Sequence, residues 1–427
     1  MIKFNPNSPA QMSCILFGGI IKEEVVVPVC NEFGEPVISK SGVNKGGIKT
    51  KKVKRDRHIK GCGIEPLPEW KSATGYSTAK EVIQFLLVSE TGEHKELIEI
   101  LAAIRTKGKQ ISTYYSTTLE CLYIEDGLVH ATFQTCSTGT GRSSCTDPNI
   151  QNQPENDKIV KEHFISRYAD GVIMESDWKG LEPRIEAQLS GDPEKINDVL
   201  NGIDDHTKNL ALKEHMPYDK VATLLVTDKE WVKKRKAVKG LTFVWQYGGG
   251  DKKASKASGL PLEEVKALKQ SRIDTYPVLY KYYSILSASV EKNAGYKDPW
   301  GIRYKFKKYL KENKHAWNVA KRESMQYSYN QVINYRTQGF ATGTIVLSMV
   351  GVFWRQKAIR NRDKYLMVNT VHDSLVLDVQ QEFIEIAKQD LKILETAPII
   401  SEKEFGYAFK VPLPVDIKYG KTWAECE

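Results

Sequence analysis

Two periods alternate along this chain, and the places where one gives way to the other predict its elements. Val172, Ile173 and Met174 form a short apolar run that leads to Asp177, the pattern of a buried strand ending at a carboxylate. Between residues 365 and 379, two apolar runs flank His372-Asp373-Ser374, which predicts a β-hairpin with Asp373 at its tip. Helical spacing takes over elsewhere. Thr78-Ala-Lys-Glu81 has the form of a capping box opening a helix through Val82, Ile83, Leu86 and Leu87. Leu97, Ile98, Leu101 and Ile104 predict a second helix within residues 95–120. Near the start, residues 25–29 and 36–38 flank Asn31-Glu-Phe-Gly34, the pattern of a small hairpin.

The richest segment is polar on one stripe. Arg235, Lys239, Phe243 and Tyr247 stand four residues apart, and Gly248, Gly249 and Gly250 follow. On an α-helix each such step turns about 400°, so the four side chains form a slowly drifting stripe about 18 Å long. Two cations at one end and two rings at the other suit a nucleoside triphosphate, with phosphates at one end and a flat base and sugar at the other. The glycines stop the helix, because glycine accepts the left-handed conformation that commonly closes one. Alone, the stripe fits a basic surface helix with two buried aromatics equally well. Singly, Asp177 fits a cap for the helix at 181–189, and Asp373 an ordinary turn residue. Brought together in one sheet, the two aspartates make a hard oxygen site of the kind Mg²⁺ shares with substrate phosphates.

Composition changes this picture modestly. The 427 residues allow two or three domains, and 41% hydrophobic residues is ample for a core. Lys and Arg (62) exceed Asp and Glu (53), a formal charge of +9 that favours a polyanionic partner. The seven cysteines are odd in number and include no pair spaced for zinc, so they read as reduced thiols in a cytosolic protein. Neither a signal peptide nor a long apolar span is evident, so no membrane partner is expected. Lys40, Lys45, Lys49, Lys51, Lys52, Lys54, Arg55, Arg57 and Lys60 are opposed within their run only by Asp56. They read either as an added basic flap or as a solvated loop.

In combination these segments resemble the polymerase region of family A DNA polymerases. Asp177-Trp-Lys-Gly-Leu-Glu-Pro-Arg184 resembles the family's motif A, the run from Arg235 to Gly248 matches its motif B at every spacing, and Val371-His-Asp-Ser374 resembles its motif C. The segment from Thr140 to Asn152 is similar to the family's primer-template segment. Asp205-His206 is similar to a phosphate-contacting pair, and Asn334 with Gln338-Gly339 to a late template-contacting helix. Phe4-Asn-Pro-Asn-Ser-Pro-Ala-Gln11 and Thr74-Gly-Tyr-Ser-Thr78 are similar to the family's thumb, and Trp423 sits near a typical C-terminus.

The likeness covers nearly the whole chain and implies an α+β, right-hand polymerase fold with an antiparallel-sheet palm, helical fingers and a helical thumb. The thumb is expected at residues 1–130, with a basic insertion at roughly 18–73, and the palm at 131–200 and 346–427 with the fingers and late template helix at 201–345 between them. The implied reaction is template-directed DNA synthesis, in which deoxynucleoside triphosphates are added to a primer 3′-hydroxyl. Two Mg²⁺ ions about 4 Å apart, replaceable by Mn²⁺, are expected on Asp177, Asp373 and the Trp178 backbone carbonyl. The resemblance gives Arg235, Lys239 and His206 to the phosphates, Lys239 also as proton donor, and Phe243 and Tyr247 to the sugar and base. Glu182 would exclude ribose, and Phe243 would disfavour dideoxynucleotides. Arg142, Asn152, Asn334, Gln338 and His372 would contact primer and template.

Departures from the family pattern are Ser374 where an acidic residue usually follows the motif C aspartate, Lys179-Gly180 in place of Ser-Gln, and Pro183 within motif A. Pro183 is tolerable in the first turn of the following helix. Given the resemblance, the basic flap would hold duplex DNA or a processivity partner, with a solvated loop as the alternative. The chain is expected to be a monomeric catalytic chain without an exonuclease segment. It then copies without proofreading, relies on a separate exonuclease or processivity factor, or is an excised fragment. The insertion and motif variants look more phage-like than bacterial, which would place the protein in a host cytoplasm. A single-subunit RNA polymerase and an inactive DNA-binding module are the competing classes; Glu182 argues against the first and the paired aspartates against the second.

Overall fold

The computed structural model describes residues 4–41, 45–72, 75–89, 92–135, 137–154, 158–312 and 323–426. Thr74 of the segment noted above lies outside them. The chain forms two compact units, Met1–Glu120 and Cys121–Glu427.

The first unit packs short helices around Met12, Leu16, Ile83, Leu86, Ile98 and Leu101, all buried. Helix α1 (Pro9–Phe17) begins with proline and with Ser8 Oγ accepting the Gln11 N–H at 3.4 Å. Two strands follow, β1 (Gly19–Pro28) and β2 (Thr50–Ile59), paired antiparallel from Gly19 opposite Ile59 to Pro28 opposite Thr50. The small hairpin expected here is therefore only the tip of a longer ribbon. Its turn does form, with the Asn31 N–H donating to Glu35 O at 2.9 Å and the Gly34 N–H to Asn31 O at 3.0 Å. At the ribbon's base the backbone crosses itself closely. A Cβ on Gly18 (φ +78°) would meet Lys60 O at 2.8 Å, and one on Gly61 (φ +72°) would meet Gly18 N at 2.2 Å.

Helix α2 (Lys80–Ser89) starts later than the capping-box pattern predicts. The Thr78 hydroxyl that would cap it accepts instead from Arg105 Nη2 at 3.1 Å. Helix α3 (Lys95–Lys109) runs on through a wider turn over Gln110–Tyr115 to Glu120, covering the span expected from its apolar spacing.

The second unit is built on a four-stranded antiparallel sheet. Its strands are β3 (Val172–Trp178), β4 (Tyr365–Val371), β5 (Ser374–Val379) and β6 (Val415–Gly420), ordered β4-β5-β3-β6. One face carries Val172, Met174, Trp178, Leu375, Leu377 and Val379 into the main core. Phe340, Ile345, Met349 and Phe353 meet them there. The opposite face holds an apolar patch at one end, where Ile173 and Val376 lie under Trp423, and carboxylates at the other. A period of two explains the split, since alternate residues of a strand face opposite sides.

Helices α4 (Leu181–Ser190), α5 (Pro193–Leu200), α6 (Asp205–Lys213), α7 (Lys229–Gln246), α8 (Leu262–Thr275), α9 (Pro277–Asn293) and α10 (Tyr329–Ala358) lie between β3 and β4 in sequence. Helix α10 corrects one expectation, because it is long and apolar enough to cross a membrane. Its apolar residues are spent on the core instead, with Phe340, Ile345 and Phe353 fully buried. Pro183 falls in the first turn of α4, as its chemistry requires.

Candidate active site

Asp177 and Asp373 come together at one end of the sheet. Strands β4 and β5 are joined by the two residues His372 and Asp373, and His372 takes φ +52° to make so tight a turn. The register sets Ser374, the first residue of β5, directly opposite Asp177 on β3. The Trp178 N–H then donates to the Asp373 carbonyl at 3.3 Å, tying the turn to the neighbouring strand. On the far side of β3, Asp416 of β6 also lies opposite Asp177.

This pairing is electrostatically unfavourable as it stands. Burial, Asp373, Glu175 and Asp416 together push the Asp177 carboxyl up from 3.8 to about 7. Its side chain opens to solvent on one side, yet the surrounding protein still penalises its charge. Burial and Glu182 push Asp373 up to about 6. Sites of this kind take up cations, since a dication relieves burial and repulsion at once. The donors are hard oxygens, which fits Mg²⁺. Among the described residues no three His, Cys, Asp or Glu side chains form a ready-made metal cage. That also suits Mg²⁺, which is commonly held by one or two carboxylates with water and phosphate completing the shell.

Helix α7 carries the predicted stripe. Its apolar side, Val238, Leu241 and Trp245, is buried with Leu210, Val221 and Leu268. Asp228 caps its start, accepting the Glu230 N–H at 2.8 Å. The helix ends at Gln246, so Tyr247 sits at the cap and Gly248 (φ +72°) turns the chain away. A Cβ on Gly248 would lie 2.9 Å from Asn330 Cα, so the glycine also lets this end seat against α10. Phe243 and Tyr247 stack with ring planes 9° apart and centroids 6.3 Å apart. The His206 ring meets Phe243 edge-on at 5.0 Å, and Lys239 Nζ lies 5.6 Å from the same ring centroid.

Arg235 and His206, both expected at the phosphates, have the following protein surroundings. Arg235 is held by Asp204, whose Oδ2 accepts from Nε at 3.1 Å and from Nη2 at 2.7 Å. His206 is not a standing cation: burial lowers its pKa, against the pull of Asp204 and Asp205. Its Nδ1 is buried without a hydrogen-bond partner.

Glu182, in the first turn of α4, is a hub. It accepts from the Tyr247 hydroxyl at 3.0 Å and from Arg142 Nη2 at 3.1 Å. The Gln338 amide lies against the same pair, its oxygen accepting from both Arg142 terminal nitrogens at 3.0 and 2.9 Å. Arg142 Nε donates to Thr342 Oγ1 at 2.8 Å. Burial and Glu182 raise the Tyr247 phenol well above its ordinary value, so it remains a donor. Asn334 Oδ1 is buried without a partner one helical turn before Gln338. Asn152 and His372 are exposed, and no described contact ties Asn152 to the carboxylates.

A cleft of about 340 Å³ opens beside the stripe, lined among others by Gly180, Glu182, Asp204, His206, Phe243 and Gln246. A buried ion cluster forms part of its wall. Lys195 Nζ lies 2.8 Å from Asp205 and 3.3 Å from Glu186, while Arg272 grips both Asp205 oxygens at 3.0 and 3.1 Å. Burial alone would raise the Asp205 carboxyl, but Arg272 and Lys195 overcome it and hold the group far below its usual range. The Asp205 carboxylate is therefore engaged by Arg272 and Lys195, while His206 of the expected phosphate-contacting pair meets the Phe243 ring.

Glu175, Asp204 and Asp416 were missed in the sequence. Glu175 shares the Asp177 face by period two, accepting from Ser374 Oγ at 2.6 Å and Trp423 Nε1 at 2.8 Å. Asp204 had a signal as well, since an aspartate just before a helical run is a cap.

The profile of DNA polymerase family A matches residues 59–425. DNA polymerase I of Caldicellulosiruptor bescii is 26% identical over 358 residues, and that of Bacillus subtilis 27% over 362. Those alignments cover 83% and 84% of this chain but 38% and 37% of the relatives, so the chain spans little more than a third of their length. Among solved structures, the polymerase domain of Pol1 from M. smegmatis, in complex with a DNA primer-template and a dNTP, superposes with a TM-score of 0.70. That match covers 99% of this chain and 62% of the other at 21% identity, and it gives the fold as the right-hand polymerase fold. The chain belongs to DNA polymerase family A.

Proposed function

We propose that this chain extends a DNA primer on a template, transferring the nucleotidyl group of a deoxynucleoside triphosphate to the primer 3′-hydroxyl. The observation that carries this reading is the convergence of Asp177, near the end of β3, and Asp373, in the turn between β4 and the adjacent β5, with both carboxyls pushed up for want of a cation. In this reading the sheet is the palm, residues 201–345 are the fingers and the late template-contacting helix, and the first unit belongs to the thumb. The basic ribbon and the motif variants favour a phage-type member.

Asp177, Asp373 and the Trp178 carbonyl would hold Mg²⁺. When bound there, such ions lower the pKa of the attacking hydroxyl and offset charge on the phosphates. Glu175, fixed by Ser374 and Trp423, adds negative charge to the same face where the family's usual acidic neighbour of Asp373 is absent. Arg235 would leave Asp204 to grip the triphosphate, an exchange of one charge-assisted partner for another. Lys239 stands free of any described carboxylate and would donate a proton from Nζ to the departing pyrophosphate. His206 would contribute a neutral N–H. Phe243 and Tyr247 would pack against sugar and base. Glu182, pinned by Tyr247 and Arg142, would occupy the space a ribose 2′-hydroxyl needs.

Arg142, Gln338 and Asn334 would face the primer end and template, where minor-groove acceptors occur on every base pair and geometry can be checked without reading sequence. Asn152 and His372 would join them from the exposed edge.

Primer extension with dNTPs and Mg²⁺ tests the reading. Wild type should extend a labelled primer as the template directs, and Asp373→Asn should lose about 10³-fold or more in rate, since metal stabilisation is worth several kcal/mol. A wild type that binds primer-template but never extends it in Mg²⁺ or Mn²⁺ would overturn the proposal. Phe243→Tyr should increase dideoxynucleotide use; no change would count against this role for Phe243.

A further inference from the structure

The ribbon of β1 and β2 has no part in the chemistry above, and the family profile begins at residue 59, where the ribbon ends. It is a sheet of two strands, about 34 Å long by strand geometry. A lone two-stranded hairpin is marginally stable in water, and among the described residues this one is anchored at its glycine-crossed base beside α1.

Charge is divided unequally between its strands. β1 contributes Lys22 against Glu23 and Glu24, whereas β2 contributes Lys51, Lys52, Lys54, Arg55 and Arg57 against Asp56. All five β2 cations are exposed. Lys52 meets Glu24 at 3.0 Å and Arg57 meets Glu23 at 3.8 Å, solvent-screened pairs of small worth. Among the described residues, Lys51, Lys54 and Arg55 form no ion pair. By strand alternation Lys51, Arg55 and Arg57 point to one face and Lys52 and Lys54 to the other.

We infer that this arm is a second DNA-binding element, which lays the free edge of β2 into a groove of duplex DNA. It rests on the reading that the chain binds primer-template. A major groove about 12 Å wide admits a two-stranded ribbon. Entered edge-on, it places Lys51, Arg55 and Arg57 against one phosphate wall and Lys52 and Lys54 against the other. The carboxylates of β1 remain on the outer strand, away from the phosphates. Contacts of this kind carry affinity without reading sequence.

Binding of the full chain to a labelled duplex of about 20 base pairs, followed by fluorescence anisotropy from about 50 to about 300 mM salt, tests it. Each phosphate contact contributes about 0.9 to the slope of log K against log salt. The triple variant Lys51→Gln, Lys54→Gln, Arg55→Gln should lower that slope by about 2 to 3, leaving the extension rate at saturating primer-template within about twofold. A charge-preserving triple (Lys51→Arg, Lys54→Arg, Arg55→Lys) should keep the wild-type slope, which separates charge from folding. An unchanged slope in the glutamine variant, with wild type still binding DNA, would assign the arm to solvent or a protein partner and overturn the inference alone. An equal loss on single strands of the same length would overturn the groove geometry. A wild type that does not bind duplex at all would overturn both this inference and the polymerase reading.

Discussion

Two clusters of ionisable groups in the second unit behave in opposite ways. Lys195, Glu186, Asp205 and Arg272 are nearly all removed from solvent, two cations against two carboxylates, and Asp205 is held far below its ordinary range. Asp177 and Asp373 face one another and Glu175 with too few positive neighbours, and their carboxyls rise to about 7 and about 6. Burial disfavours charge in both. What differs is whether the fold supplies the counter-ion itself. A cluster that closes its own charge balance is framework; one that leaves the balance open is a place where something else binds.

Breaking the open cluster should have the largest consequence and the opposite sign on stability. Asp373→Asn, with its loss in extension of about 10³-fold or more, should also raise the melting temperature of the metal-free protein at pH 8, because it removes a repulsion. Breaking the closed cluster should do the reverse. Arg272→Met leaves a buried carboxylate short of a partner and should cost about 3–5 kcal/mol in denaturant unfolding. A smaller effect follows at Glu182, the link between the carboxylates and the stripe. Glu182→Ala should cut discrimination against ribonucleotides by about 10²-fold, read as the ratio of dNTP to rNTP incorporation. Tyr247→Phe, which removes one of its donors, should give part of that loss.

The pH dependence sharpens the contrast further. Both aspartate values lie above the ordinary 3.8, so between about pH 4 and about pH 7 the folded protein holds more protons than the unfolded chain. Metal-free stability should therefore fall as pH rises through that window. Mn²⁺ binding should strengthen over the same window, by up to about tenfold per pH unit for each proton displaced. Electron paramagnetic resonance of free Mn²⁺ from about pH 5 to about pH 8 would show it, and a flat profile would mean the two carboxylates do not share the ion. Asp205 titrates far below this range and should contribute nothing to either curve.

Legibility in the sequence followed locality. The β3 run, the hairpin carrying Asp373, the stripe of α7 and its glycine stop were all readable, because each depends on neighbours within a turn or a strand pair. The ribbon was read too short for a physical reason. Both its faces are largely exposed, so no buried side fixed the alternation or the register. The capping box at Thr78 failed because Arg105, 27 residues on, competes for the hydroxyl. The closed ion cluster and the clamp on Glu175 were invisible for the same reason: Arg272 is 67 residues from Asp205, and Trp423 is 248 from Glu175. The Asp204 hold on Arg235 reaches 31 residues and left only its capping signature behind.

The seat of Gly248 on Asn330 would make the aromatic end the fulcrum of any tilt of α7. Tyr247 lies next to that fulcrum, whereas Arg235, twelve residues away, is about 18 Å out along the arm. A swing of about 10° would carry the guanidinium some 3 Å while barely displacing the phenol, by the arithmetic of the arm length. A shift of that size would stretch the 2.7 Å contact between Arg235 Nη2 and Asp204 beyond hydrogen-bond reach. In the proposed reaction a small tilt would be enough to pass the cationic end from Asp204 to the triphosphate, with the ring end keeping its place.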